Sequence, residues 1–186
     1  MDAFSYLSVL LSVILGLAIQ QVLLGYRALA LARGRVRWYG PPLIWSVLII
    51  LLVVQHWWAS FGLARLSGWS FVQFASTLVE TALLYMMAAL VLPDIRADAE
   101  TDLRDHYYRE APLFFGVGVA AIVWNAAREL ILYGQLPQRL DLGFQLLFLT
   151  LALIAMIVRK PRIHEGIAGA MLIIFAAYIG LLFARL

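Results

Sequence analysis

Five ionisable or strongly hydrogen-bonding side chains stand inside long apolar runs of this 186-residue chain: His56, Glu80, Asn125, Arg128 and Glu129. A carboxyl and an imidazole in hydrocarbon can exchange a proton or hold a polar solute. A guanidinium beside them can fix an anion or set the acid's proton affinity. Near mid-bilayer a charged side chain costs about 2.5–3.5 kcal/mol on insertion scales, so Glu80 and Arg128 require a partner, water or neutralisation. Two readings follow with equal weight. In one these residues form a working pocket; in the other Glu80 and Arg128 are a buried tether and His56 donates to a neighbouring carbonyl.

Spacing supports convergence. Gln73, Thr77, Glu80 and Thr81 share one face of a helix, His56 and Ser60 are one turn apart beside Gln55, and Asn125 lies above Arg128 and Glu129. At 1.5 Å per residue, His56, Glu80, Asn125 and Arg128 fall roughly 8 to 14 Å below one membrane boundary. Gln20, with Gln21, could extend a polar route toward the other side. Gln145 and Thr150 belong to no pattern and are assigned to packing.

The elements that must position these groups are membrane spans. The chain is 64% hydrophobic and 13% charged, with mean hydropathy +0.90, against about half apolar and a quarter charged in an ordinary soluble domain. Six stretches are long enough to cross a bilayer: 4–25, 43–64, 71–92, 113–133, 142–158 and 166–184. Breaks fall at Gly40-Pro41-Pro42, Ser67-Gly68, Pro93-Asp94, Gly134 to Pro137, and Pro161. The expectation is an all-α, polytopic integral membrane protein, a single bundle domain over residues 1–186. The first run starts after Met1-Asp2 with no basic segment and is longer than a signal peptide's core, so it is read as a retained helix.

Lysine and arginine set the orientation. Arg27, Arg33, Arg35, Arg37, Arg96, Arg104, Arg109, Arg159, Lys160 and Arg162 fall on alternate connections. Arg65, Arg139 and Arg185 fall on the others. That asymmetry places the first group in the cytoplasm and both termini on the non-cytoplasmic side, as in a multi-pass protein of the bacterial inner membrane. Trp57, Trp58 and Trp69 bracket one predicted interface, and Trp38 and Trp45 the other; bundle packing is the alternative for each. Ile95, Ala99, Leu103 and Tyr107 recur every fourth residue in the long connection after span three. They predict a short cytoplasmic amphipathic helix or, equally, an extension leading into span four.

Small and polar residues at helical spacing predict contact faces: Ser5, Ser8, Ser12, Gly16 and Gln20 on span one, Gly116 to Ala120 on span four, and Gly166, Gly169, Ala170, Ala176, Ala177 and Gly180 on span six. The absence of cysteine excludes disulfides, thiolate metal sites and cysteine nucleophiles. Only His56 among three histidines lies within a predicted span, which excludes paired axial haem ligands across the bundle. Asp102, His106 and Glu110 recur one turn apart but make an incomplete ligand set on a solvated helix. No metal or other cofactor is expected, and the short basic clusters read as topology signals rather than nucleic-acid contacts.

The leading functional expectation is a transporter or channel-like protein with an intramembrane ionisable pocket, carrying a small polar or anionic solute coupled to protons. The alternative is a non-catalytic membrane subunit or assembly partner, as a homo-oligomer or with a second protein. A third is a membrane-embedded enzyme with His56 and Glu80 as acid and base, for which no oriented nucleophile is visible. Three spans on each side of the long connection permit a 3+3 division, without a residue match between halves.

Overall fold

A computed structural model of the chain describes residues 3–66, 68–95 and 100–182. Met1, Asp2, Ser67, Arg96, Ala99, Ala184 and Arg185, used above as landmarks, lie outside the described residues. Six long helices dominate: α1 (Ala3–Leu31), α2 (Gly40–Ser60), α3 (Phe71–Leu90), α4 (Leu103–Tyr133), α5 (Arg139–Ile157) and α6 (Pro161–Leu182). All six are long and apolar enough to cross a membrane. The protein is a six-helix, multi-pass membrane protein.

Local chemistry sets the helix ends. Pro41 and Pro42 open α2, where a missing N–H costs nothing and the fixed φ suits a first turn. Ser70 and Gln73 form a reciprocal capping box at the start of α3. Asp102 accepts from the backbone N–H of Arg104 and Asp105 at the start of α4, and Gly134, at φ 66°, ends that helix in the left-handed conformation.

Five helices close a ring. α2 contacts α3, α3 contacts α4, α4 contacts α5, α5 contacts α6, and α6 returns to α2. α1 lies outside this ring, packed on α2 and α3. Its buried stripe is Leu7, Leu11, Leu15, Ala18 and Val22, while Val9, Val13, Leu23 and Leu24 are exposed as lipid-facing groups.

Two packing expectations are corrected here. Gly16 and Gln20 on α1 are exposed, and a Cβ built at Gly16 or at Gly169 on α6 would meet nothing. Gly166, Ala176, Ala177 and Gly180 also face outward. In lipid both sides of such a helix are apolar, so small residues alone do not reveal the contact face. Close approach occurs instead at Gly25, where a Cβ would lie 2.9 Å from the Leu92 Cβ, and at Gly118 against Met87.

No separate surface helix precedes span four among the described residues. Leu103, Tyr107 and Ala111 are buried on the first turns of α4 itself. Pro112 sits within that helix and is exposed. At 31 residues α4 is about 46 Å long, well beyond a hydrocarbon core of about 30 Å. The same lengthening puts His106 and His164, expected in connections, inside α4 and α6, where both are buried.

At the end of the bundle that holds Tyr39, a two-residue parallel pair joins Val36 to Thr101 and Arg37 to Asp102. Beneath it lies an aromatic cluster. Tyr39 packs edge-on to Tyr107; the Tyr107 hydroxyl is 2.8 Å from His164 Nδ1; Phe115 packs edge-on to Tyr107 and Trp45. Trp45 is buried in this cluster rather than interfacial, whereas Trp38, Trp57 and Trp58 are exposed.

Candidate functional site

The five principal residues converge. Glu80, on the ring-facing side of α3, is 5% exposed and Arg128 on α4 is 8% exposed. Arg128 Nε stands 2.5 Å from Glu80 Oε2, a charge contact rather than an aligned hydrogen bond. Asn125, one turn from Arg128, donates from Nδ2 to Glu80 Oε1 at 2.7 Å. His56 Nδ1 approaches the same oxygen to 3.8 Å from α2. Arg128 Nη2 also donates to Glu129 Oε1 at 3.3 Å. One guanidinium thus bridges two carboxylates, and neither reading of the sequence anticipated that.

The packing that holds this geometry comes from the backbone and its nearest side chains. Trp124 donates from its indole N–H to the Ser76 carbonyl at 2.8 Å, fixing α4 against α3 one turn from Glu80. Ser60 donates to the His56 carbonyl at 2.8 Å. His56 Nε2 is buried with no hydrogen-bond partner among the described residues.

The cluster borders a cavity of about 560 Å³ inside the five-helix ring, within the size range of small-molecule sites. At one end the wall reaches Arg65, Tyr133 and Gln138, which are exposed. His56, Glu80, Asn125, Arg128 and Glu129 all line it. Leu84, Met87, Phe114, Phe115 and Phe175 line it as well, and its wall includes Trp45 of the aromatic cluster. Polar groups therefore occupy the Arg65 end and apolar groups the depth.

The secondary candidates divide. Gln55 lines the cavity. Gln73 is spent on the α3 capping box and a long contact to the Leu132 carbonyl, and Thr77 returns its hydroxyl to the Gln73 carbonyl. Gln20 is exposed on α1, outside the ring, so no polar route continues through it. Its neighbour Gln21 donates to the Tyr85 hydroxyl at 2.9 Å.

Polar lining residues on α5 and α6 were missed. Gln145, placed in packing above, donates to Asn125 Oδ1 at 2.9 Å and extends the network to α5. Asp141 accepts from the Tyr178 hydroxyl at 3.0 Å, and both line the cavity. The signal was present: Asp141, Gln145, Phe148 and Ala152 recur at helical spacing on one face of α5. Thr150, assigned to packing in the sequence, is exposed and bonds within its own helix to the Leu146 carbonyl.

Of the possible metal ligands, Asp102 caps α4, His106 Nε2 meets the Leu90 carbonyl, and Glu110 pairs with Arg109. Each is engaged separately. Compared with protein-family models, curated proteins and solved structures, the chain matches none.

Proposed function

We propose that the protein is a transporter that binds a small polar organic solute in the ring cavity and couples its passage to a proton on Glu80. The observation that carries this reading is the cavity itself, which passes the buried Glu80–Arg128–His56 cluster and reaches deep into the bundle. A purely structural ion pair needs no such space, and intramembrane ionisable groups beside a cavity mark transport paths. The arginine asymmetry of the sequence supports placing the Arg65 end on the non-cytoplasmic side; in this reading the cavity faces outward and the aromatic cluster around Trp45, Phe115 and Tyr107 closes it inward.

In this scheme Glu80 holds Arg128 while ionised. A proton on Glu80 removes that attraction and leaves Arg128 to Glu129, loosening α3 from α4. Passage then requires the inward aromatic cluster to part.

The native chain has no cysteine, so single cysteines report access cleanly. Ala121 lines the cavity about 18 Å, or twelve residues, from the end of α4. In intact cells Ala121→Cys is expected to react with a membrane-impermeant maleimide from outside, and Val54→Cys, on the exposed face of α2, is the lipid control. An unreactive Ala121→Cys in a folded protein overturns the reading. A second reading, as a subunit, is supported by the unpartnered Gly16–Gln20 face of α1; co-purification of a stoichiometric second protein would favour it.

A further inference from the structure

The charges on the cavity wall are unequal. Glu80, Glu129 and Asp141 supply three carboxylates, Arg65 and Arg128 two guanidiniums. Arg128 is already bridged between Glu80 and Glu129, so two carboxylates already answer its charge. Arg65 is exposed at the cavity's end, where solvent ions screen it. Asp141 is half-buried and takes part in no ion pair among the described residues; its partner is the neutral Tyr178 hydroxyl.

Aromatic rings surround that carboxylate's partner. Phe148 lies 5.6 Å and Phe175 5.9 Å from the Tyr178 ring, centroid to centroid, and all three rings line the cavity. A carboxylate beside several rings is the chemistry that recognises ammonium groups, because each ring presents a negative face to a cation. Deeper in, Met87, Phe114 and Phe115 offer an apolar bed. An anion would meet the surplus carboxylate charge, and a neutral solute would leave Asp141 without a counter-charge.

From this juxtaposition we infer that the solute is an organic monocation with an apolar or aromatic body. Its ammonium group sits by Asp141 against Phe148, Phe175 and Tyr178, and its body points toward Phe114 and Phe115. The inference rests on the cavity being the solute site. It departs from the anion that Arg128 suggested in the sequence, because Glu80 and Glu129 already occupy that guanidinium.

Two probes of matched shape and opposite charge test it on the purified full chain in detergent: benzyltrimethylammonium and benzylsulfonate, titrated by calorimetry. Saturable binding of the cation is expected, with the anion at least about tenfold weaker. Asp141→Asn should weaken the cation about tenfold, on the scale of one charge contact, while Asp141→Glu retains it. On the Ala121→Cys background the cation, and not the anion, should slow maleimide labelling. Equal or tighter binding of benzylsulfonate, no saturable cation binding, or an Asp141→Asn variant that binds normally would each overturn the inference. Labelling of Ala121→Cys separates the two failures. If it labels while the cation does not bind, the cavity remains a solute site and only the charge assignment is lost; if it does not label, the site itself is lost.

Discussion

Replacing Arg128 with methionine removes the charge facing Glu80 while keeping most of the side chain's volume. At 2.5 Å the pair attracts by about 6–7 kcal/mol at an effective dielectric constant of about 20, and desolvation of the two charges offsets much of it. The asymmetry matters more than the sum. Removing one partner leaves Glu80, 5% exposed, as an uncompensated charge, which costs about 3–5 kcal/mol, whereas removing both leaves a more apolar wall at a far smaller cost. Asn125 still donates to Glu80 Oε1 in the single variant, so the lower half of that range is expected. For a chain of this length the loss corresponds to about 6–16 °C in apparent Tm. The assay is a thermal scan in detergent of wild type, Arg128→Met, Glu80→Leu and the double variant, followed by tryptophan fluorescence. Each single variant should fall well below wild type and the double should recover at least half of the loss. An Arg128→Met protein that melts like wild type, or a double variant at the sum of the singles, would refute the buried-pair reasoning.

Further outcomes follow from contacts elsewhere in the bundle. Gly25→Ala places a methyl against the Leu92 side chain and should cost about 1–3 kcal/mol by overpacking, whereas Gly16→Ala and Gly169→Ala, where a methyl meets nothing, should not lower the melting temperature in the same thermal scan. Tyr107→Phe removes the hydroxyl facing the buried His164 Nδ1 and should cost about 1–3 kcal/mol, read as a lower denaturant midpoint. Asp102→Ala strips two backbone N–H groups of their acceptor; about 0.5–2 kcal/mol of helix-start stability should be lost, seen as faster amide exchange at Arg104 and Asp105. In reconstituted vesicles Glu80→Gln should abolish proton movement driven by benzyltrimethylammonium, and unchanged movement would remove Glu80 from the coupling.

The six spans were legible because an unbroken apolar run of membrane length has little use outside a bilayer. Glu80, Arg128, His56 and Asn125 were legible because a charge or amide inside such a run demands company, and helix geometry put all four at one depth. Asp141 was not, since an acid two residues into a helix reads as a solvated end. Gln145 stood out only once Asn125 was opposite it. Gln20 misled for a related reason: the stripe of Ser8, Ser12 and Gly16 has the same spacing as Leu7, Leu11 and Leu15, and hydropathy cannot say which of the two faces protein when the solvent is itself apolar. Helix ends were displaced where charge begins before the helix stops. Leu103 to Glu110 carry acids and arginines, which end an apolar run but not a helix capped by Asp102.

α1 precedes in the chain the helices it packs on, so it enters the bilayer before they have been made. Its core-facing leucines dissolve in lipid tails as readily as its outer ones, so the wait is cheap. For α3 the wait is harder: Arg128 is translated 48 residues after Glu80, an interval of about 2–10 s at ordinary synthesis rates. During those seconds Glu80 has no α4 guanidinium to answer it, and an unpaired acid in the bilayer carries an insertion cost that the finished bundle removes.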